Sequence, residues 1–251
     1  MRIAPVAAAL AVVFSAFAAV TGRAAPSWYA ADDELQRRAL ELMKTVLPVT
    51  QWKKGEPIGR FLDTYYYNVV EADYPGEPSV PMKDAKGNVL AWVTPGFWER
   101  FKVEGTGRLL DGRVLNTSET GLVVVDAPMG EGACRLKPWL TMAVDSRVIP
   151  LGTIVRIDET VGLRLPDGSL HDGYWRAEDT GGEVRNAHVD LYIGDGDKGG
   201  ATLDAAGIHL KALTVRYVET PPATCARPSS GSEQPAQAAE RDTGTGRSGF
   251  K

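Results

Sequence analysis

The sequence predicts an all-β domain, introduced by one short helix and followed by a tail that cannot build a core. Three observations carry that reading. From about Gly59 the chain breaks into short apolar and aromatic runs separated by turn residues, and its 27 glycines and 16 prolines suit strands joined by tight turns. Two runs alternate: Val189, Leu191 and Ile193 against His188, Asp190 and Tyr192, and Leu213, Val215 and Tyr217 against Thr214, Arg216 and Val218. Only Leu35, Ala39, Leu42, Met43 and Val46 follow helical spacing.

Each segment has a physical reason. Residues 1–25 combine Arg2, an apolar run from Ile3 to Val20 and small residues around Gly22 and Ala24, the organisation of a secretory signal peptide. We expect cleavage there and export to the periplasm or cell envelope; a retained membrane anchor is the other reading of such a run. Residues 26–58 form the helical segment, with Asp32, Asp33 and Glu34 at the helix start, where they complement the dipole, and Pro48 as its stop. The β domain is expected over 59–220. Its strands include Leu62 to Val70, Val89 to Val93 and Gly121 to Asp126, with an aromatic-rich turn at Pro95 to Phe101. From 221 to 251 the composition turns to Pro, Ser, Gln, Ala, Glu and Gly, which offers too little apolar surface to offset ordering entropy.

Composition removes several function classes. The net charge of −4 gives no basic footprint, so no nucleic-acid partner is expected. The 3 histidines and 2 cysteines lack metal-ligand spacing, so neither metal nor cofactor is expected. In an oxidising compartment Cys134 and Cys225 are expected to pair, worth about 4 kcal/mol in the chain-entropy model. The chain is expected to be a monomer.

The chemistry concentrates in two segments, Ala143 to Thr153 and Ala177 to Tyr192. Asp190 sits on the polar face of an alternating strand, flanked by His188 and Tyr192. Asp179 stands beside Gly181-Gly182, where backbone can approach closely or turn. Two carboxyls in one cleft raise the pKa of at least one. A general acid needs that shift, because an ordinary aspartate is protonated in only about one molecule in a thousand at neutral pH. Spacing alone also permits Asp145, Asp179 and Asp190 to be turn caps paired with Arg147, Arg176 or Arg185.

The two segments together resemble the three-aspartate (3D) domain. Val148-Ile149-Pro150-Leu151-Gly152-Thr153, Asp179-Thr180-Gly181-Gly182 and the interval from Asp179 to Asp190 fit its pattern. Thr64-Tyr65-Tyr66-Tyr67 resembles its first strand, and Val103 to Arg108 with Asp111-Gly112 resembles a stretch of the membrane-bound lytic transglycosylase A family. This resemblance implies a double-psi β-barrel with a small β insertion at about 80–133. It also implies cleavage of peptidoglycan glycan strands between N-acetylmuramic acid and N-acetylglucosamine. Asp190 would be the catalytic acid, with Asp179 and Asp145 in the supporting aspartate positions. One acid suffices there because the sugar's own 6-hydroxyl attacks, leaving a 1,6-anhydro ring. Thr180, Gly181, Gly182, Tyr65, His188 and Tyr192 are the expected substrate contacts, although His188 also reads as a rim residue.

The chain departs from the pattern in two places. Glu183-Val184-Arg185-Asn186 stands where the family has Ala-Ile-Lys-Gly, so a turn glycine is missing. The insertion is also small for a groove-forming second domain. Two alternatives therefore stand: a wall-binding module without turnover, and a glycoside hydrolase that uses Asp179 as second carboxylate.

Overall fold

A computed structural model of the chain describes residues 27–131 and 134–221. The expected signal peptide, Cys225 and the tail from 222 onward lie outside the described residues. The described chain is mostly β: eleven strands, β1 to β11, with helix α1 at the start, α2 after β3 and α3 before β11.

Helix α1 spans Ser27–Leu42. It begins before the acidic run, so residues 32–34 lie within it and not at its start. A 3-10 turn at Met43–Thr45 follows, and the chain reaches Pro48 in extended conformation. This segment docks on the first strand through Leu47 N–H to the Ile58 carbonyl (2.8 Å) and Arg60 N–H to the Thr45 hydroxyl (3.0 Å).

β1 runs for 14 residues, Pro57–Val70. β2 (Val80–Lys83) and β3 (Val89–Val93) form a separate hairpin sheet. β4 (Thr106–Arg108), β5 (Val114–Ser118) and β6 (Gly121–Val125) extend the main sheet, because β4 pairs with the far end of β1 at Val69 and Val70. The remaining strands are β7 (Thr141–Val144), β8 (Ile154–Ile157), β9 (Tyr174–Asp179), β10 (His188–Asp195) and β11 (Ala212–Glu219). Helix α3 (Gly200–Ala205) lies between the last two. Followed from β1 through β10, β7, β9, β8 and β11, the ladders lead back to β1. The pairs β1–β10 and β7–β9 are parallel, and the other four are antiparallel.

The apolar face of these strands fills the core, where Phe61, Met142, Val155, Trp175, Val189 and Leu213 are all buried. Each such side chain contributes about 1.5–3 kcal/mol on leaving water. The alternation in β10 and β11 is realised, since Val189, Leu191, Ile193, Leu213 and Val215 all point inward. A second cluster, Tyr66, Leu136, Ala143, Val184 and Tyr192, lies on the opposite face of β10. The polar face read from the sequence is therefore itself largely covered.

The expected aromatic turn at Pro95 is instead helix α2, Pro95–Glu104. Its boundaries carry the usual chemistry. The Thr94 hydroxyl accepts from Phe97 N–H (3.2 Å), proline occupies the first turn, and Gly105 closes the helix at φ 76°. Phe97 and Phe101 are its buried face.

Candidate active site

The strand register aligns the site. Asp190 pairs with Thr64 of β1 on one side and with Ala143 of β7 on the other, and Ala143 pairs in turn with Asp179 of β9. Directly opposed residues share a face. Thr64, Asp190, Ala143 and Asp179 therefore form one row, with the two aspartate Cα atoms about 10 Å apart at roughly 4.8 Å per strand.

A bulge places Asp179 in that row. Between Met142 and Ala143 the register moves from Ala177 to Asp179, so Glu178 is the extra residue. Without it Asp179 would point to the core with Val144, since a one-residue slip inverts every side chain beyond it. Glu178 is itself buried, held by Arg176 (2.7 Å) and the Thr141 hydroxyl (3.2 Å).

The Asp190 carboxyl is half-buried, and the Thr64 hydroxyl lies 2.6 Å from its Oδ1. Burial pushes its pKa up to about 7, with Asp179 adding to the rise and the Thr64 bond opposing it. The acid form of Asp190 is therefore substantially populated at neutral pH, unlike that of an ordinary aspartate. The same Thr64 hydroxyl lies 2.8 Å from His188 Nε2. His188 is buried, not on a rim, and burial drives its pKa down to about 4, so the ring is neutral at working pH.

Asp179 is met by donors on both oxygens: the Tyr66 hydroxyl at 2.8 Å and Thr180 N–H at 2.9 Å. Burial nevertheless raises its pKa to about 6, with the nearby Glu131 charge contributing. The Glu131 segment passes against the Asp179 end of the row. A Cβ on Gly130 would stand 2.6 Å from the Glu178 carbonyl and 3.0 Å from Asp179 Cγ, so only glycine fits. The Thr180 hydroxyl bonds Glu131 at 3.2 Å, and Asn116 exchanges two hydrogen bonds with the Met129 backbone. Cys134, in the same loop, is buried and disulfide-bonded.

Asp145 has a different character. Arg147 grips it bidentately (2.9 and 2.7 Å), and Arg147 N–H (3.1 Å) and Asn186 N–H (2.8 Å) complete its shell. The Arg147 bonds lead the causes that hold its pKa down at about 2, so it is ionised and saturated. What it holds is the turn after Asp-Thr-Gly-Gly. There Asn186 takes φ 61°, the left-handed conformation that asparagine tolerates better than most residues. Asn186 thus does the work of the missing glycine.

The structure brings Asp190, Asp179, His188 and Tyr192 to one face and borders them with Thr180, Gly181 and Gly182. It does not bring Tyr65, which strand alternation turns to the other face of β1, where its ring lies 4.8 Å from that of His209. Tyr192 is buried against Tyr66, with ring centroids 5.1 Å apart, and presents no face to a sugar. Thr64, Tyr66 and the Gly130–Glu131 strap were absent from the sequence-derived set. Three consecutive tyrosines, Tyr65 to Tyr67, hide which one shares a face with Asp190. Among the described residues, no group of three or more His, Cys, Asp or Glu is arranged to hold a metal ion. No helix among them is long and apolar enough to cross a membrane.

An aspartate with a raised pKa, a second aspartate in the same row and a third anchoring the adjoining turn thus lie together in this part of the fold. In keeping with it, residues 140–219 match the family model of the 3D domain. Among solved structures the chain is similar to E. coli MltA with bound chitohexaose, at 18% identity and TM-score 0.47 over 66% of this chain and 73% of that one. It is similar to a membrane-bound lytic murein transglycosylase from Agrobacterium tumefaciens, at 14% and 0.46 over 63% and 75%. A third is the lytic transglycosylase LtgG of Burkholderia pseudomallei, at 21% and 0.38 over 62% and 70%. A search of curated proteins finds no match.

Proposed function

We propose that this protein is an exported peptidoglycan lytic transglycosylase with Asp190 as its single catalytic acid. The observation that carries the reading is the pairing of an aspartate near pKa 7 with a neighbour whose oxygens are already occupied by donors. One carboxyl is free to exchange a proton, and the other is committed to holding the site. The match to the 3D domain supports the same assignment. The cycle of six strands with two parallel pairs agrees with the double-psi barrel that this domain implies.

In this mechanism Asp190 gives its proton to the glycosidic oxygen as the bond from that oxygen to the muramic C1 breaks. The 6-hydroxyl oxygen of the same sugar then bonds C1, and its proton returns to Asp190. Proton and charge balance, and no water is consumed. Asp179, Tyr66 and Asp145 are positioning residues: the first two fix the row, and Asp145 fixes the turn that carries Thr180 to Asn186. Thr180, Gly181 and Gly182 supply the half-buried to exposed rim against which a glycan lies.

The test is mass spectrometry of soluble products from purified peptidoglycan incubated with the protein. Anhydro-muropeptides that disappear with Asp190→Asn are the expected result. General acid catalysis is worth about 10²–10⁴ in rate, so the loss reads clearly. Release of nothing by the wild type, with the protein still sedimenting on the sacculus, would make it a binding module.

A second reading rests on the row itself. A two-strand separation between Asp190 and Asp179 leaves room for the roughly 6.5–9.5 Å carboxyl spacing of an inverting hydrolase. Asp179, near pKa 6, would then activate water. Reducing-end products would establish that reading and sink the first.

A further inference from the structure

We infer that Glu178 is a positioning residue, clasped by Arg176 and Thr141 so that the bulge persists and Asp179 keeps its place in the row. The inference deepens the reading of this row as the reactive surface, and its kinetic arm rests on that reading.

β9 has two ways to pass β7. In a regular ladder Glu178 would stand opposite Ala143, and Asp179 would follow on the face of Met142, Val144 and Ala177, all buried in the apolar core. In the ladder observed, Glu178 is the extra residue and Asp179 stands opposite Ala143. That difference of one residue inverts the direction of the Asp179 side chain. The extra residue of a bulge has no place in the ladder, so other contacts must hold it.

Glu178 is held on both its side chain and its backbone. Its Oε1 forms an ion pair with Arg176 Nε at 2.7 Å, two residues back on the same strand. Its Oε2 accepts from the Thr141 hydroxyl at 3.2 Å, and that hydroxyl accepts from Lys137 N–H at 3.0 Å. These directions are fixed, because a backbone N–H only donates and the hydroxyl has one hydrogen to give. Both carboxylate oxygens are thus drawn back to Thr141 and Arg176, which pair with each other two residues before Ala143. The place opposite Ala143 is left to Asp179. On the backbone side, the Glu178 carbonyl lies against Gly130, where a Cβ would come within 2.6 Å. Only 8% of the Glu178 side chain is exposed. A slip to the regular ladder would carry this carboxylate forward along β7, away from Thr141, and a buried charge that loses its partners is strongly disfavoured. Beyond the bulge, the Tyr66 hydroxyl and Thr180 N–H receive Asp179.

The test follows the Asp179 carboxyl by carbon NMR in protein labelled at its aspartate carboxyls, with the signal assigned by its loss in Asp179→Asn. In the wild type it should titrate at about 6. Glu178→Ala opens the clasp and lets water reach the loop, so the titration should fall towards the ordinary aspartate value of about 3.9. Glu178→Gln removes the charge but keeps the clasp, since an amide accepts from Arg176 through its oxygen and donates to Thr141 through its nitrogen. It should hold Asp179 close to the wild-type value. If Gln lowers the titration as far as Ala does, the cause is the lost charge and not the lost position, and the inference is overturned. Thr141→Val keeps shape and removes one anchor; it should move Asp179 the same way by less, and it serves if Glu178→Ala does not fold. An unmoved Asp179 titration in the folded variant would also overturn the inference. On peptidoglycan, Glu178→Ala should lower kcat on the order of tenfold to a hundredfold with KM nearly unchanged, and Glu178→Gln should restore most of it. The carbon spectra do not depend on turnover. A wild type that releases no anhydro product would thus refute the transglycosylase reading, while the Asp179 titration would still decide the role of Glu178.

Discussion

Tyr66 of β1 donates its hydroxyl to Asp179 of β9 at 2.8 Å, across the two strands that separate them. Its ring spans the ground between Tyr192 and Ala143, within the small apolar cluster beneath the row. Tyr66→Phe keeps that packing and removes the donor. The bond lowers the Asp179 pKa, so its loss should lift that pKa above about 6. Leaving a buried acceptor unmet should destabilise by about 1–3 kcal/mol. Carboxyl NMR titration and thermal melts measure both effects, and an Asp179 titration that stays in place would show that Tyr66 does not hold it.

Ala143 is flanked by both aspartates, packs in one cluster with Tyr66 and Tyr192, and is 2% exposed. A larger side chain must push one of these groups out of the row. Ala143→Leu should destabilise by about 1–3 kcal/mol through overpacking and should also depress turnover. Ala143→Gly, which leaves the row open, should lose stability with most of the activity retained. If Ala143→Leu kept full turnover, the row would not be the reactive surface.

At Asn186, φ is 61° and the backbone N–H binds Asp145. Asn186→Gly should therefore be tolerated in both stability and turnover. Asn186→Val, a β-branched residue in a left-handed conformation, should cost about 1–2 kcal/mol or more. Because Asp145 loses its partner if the turn shifts, the Val variant should also raise the Asp145 pKa from about 2. Equal melting temperatures for the two variants would mean that the turn is not held in this conformation.

How much of this was legible in the sequence depends on what each feature needed. The alternation of Val189, Leu191 and Ile193 against Asp190 was visible because a strand has a period of two, and β10 obeys it. The resemblance around Asp179-Thr180-Gly181-Gly182 pointed to the loop that borders the row. The bulge at Glu178 was not visible, since its signature is a register between distant strands and not a local pattern. Without it the sequence cannot say that Asp179 faces Asp190. Helix α2 was legible in principle through Thr94, Pro95 and Gly105, but its aromatic content read as a turn. Thr64 carried no signal of its own: a threonine in a strand is ordinary until parallel pairing sets it opposite Asp190.

The last expectation concerns Asp63, which precedes Thr64 and points to the core. Its carboxyl is fully buried, and neither oxygen has a hydrogen-bond partner. A lone carboxylate there would be prohibitively costly, so the group stays protonated; burial first and the Asp190 charge second push its pKa well above the ordinary range. Asp190 and Glu104 (each about 7) and Asp179 (about 6) are shifted the same way. In the unfolded chain these groups ionise near pH 4. The folded state thus binds more protons between about pH 4 and 7, and its stability falls as pH rises through that window. Asp145 has the opposite sign: its pKa is lowered to about 2, so its contribution is present above about pH 4 and is lost towards pH 2. Stability should therefore peak near pH 4. Asp63→Asn removes one of the raised groups, so the fall with pH should become shallower. The variant should gain stability relative to the wild type as pH rises above about 4. A constant offset from the new amide does not affect that slope. Urea unfolding at four or five pH values measures it, and parallel curves for the two proteins would mean that Asp63 carries no proton into the fold.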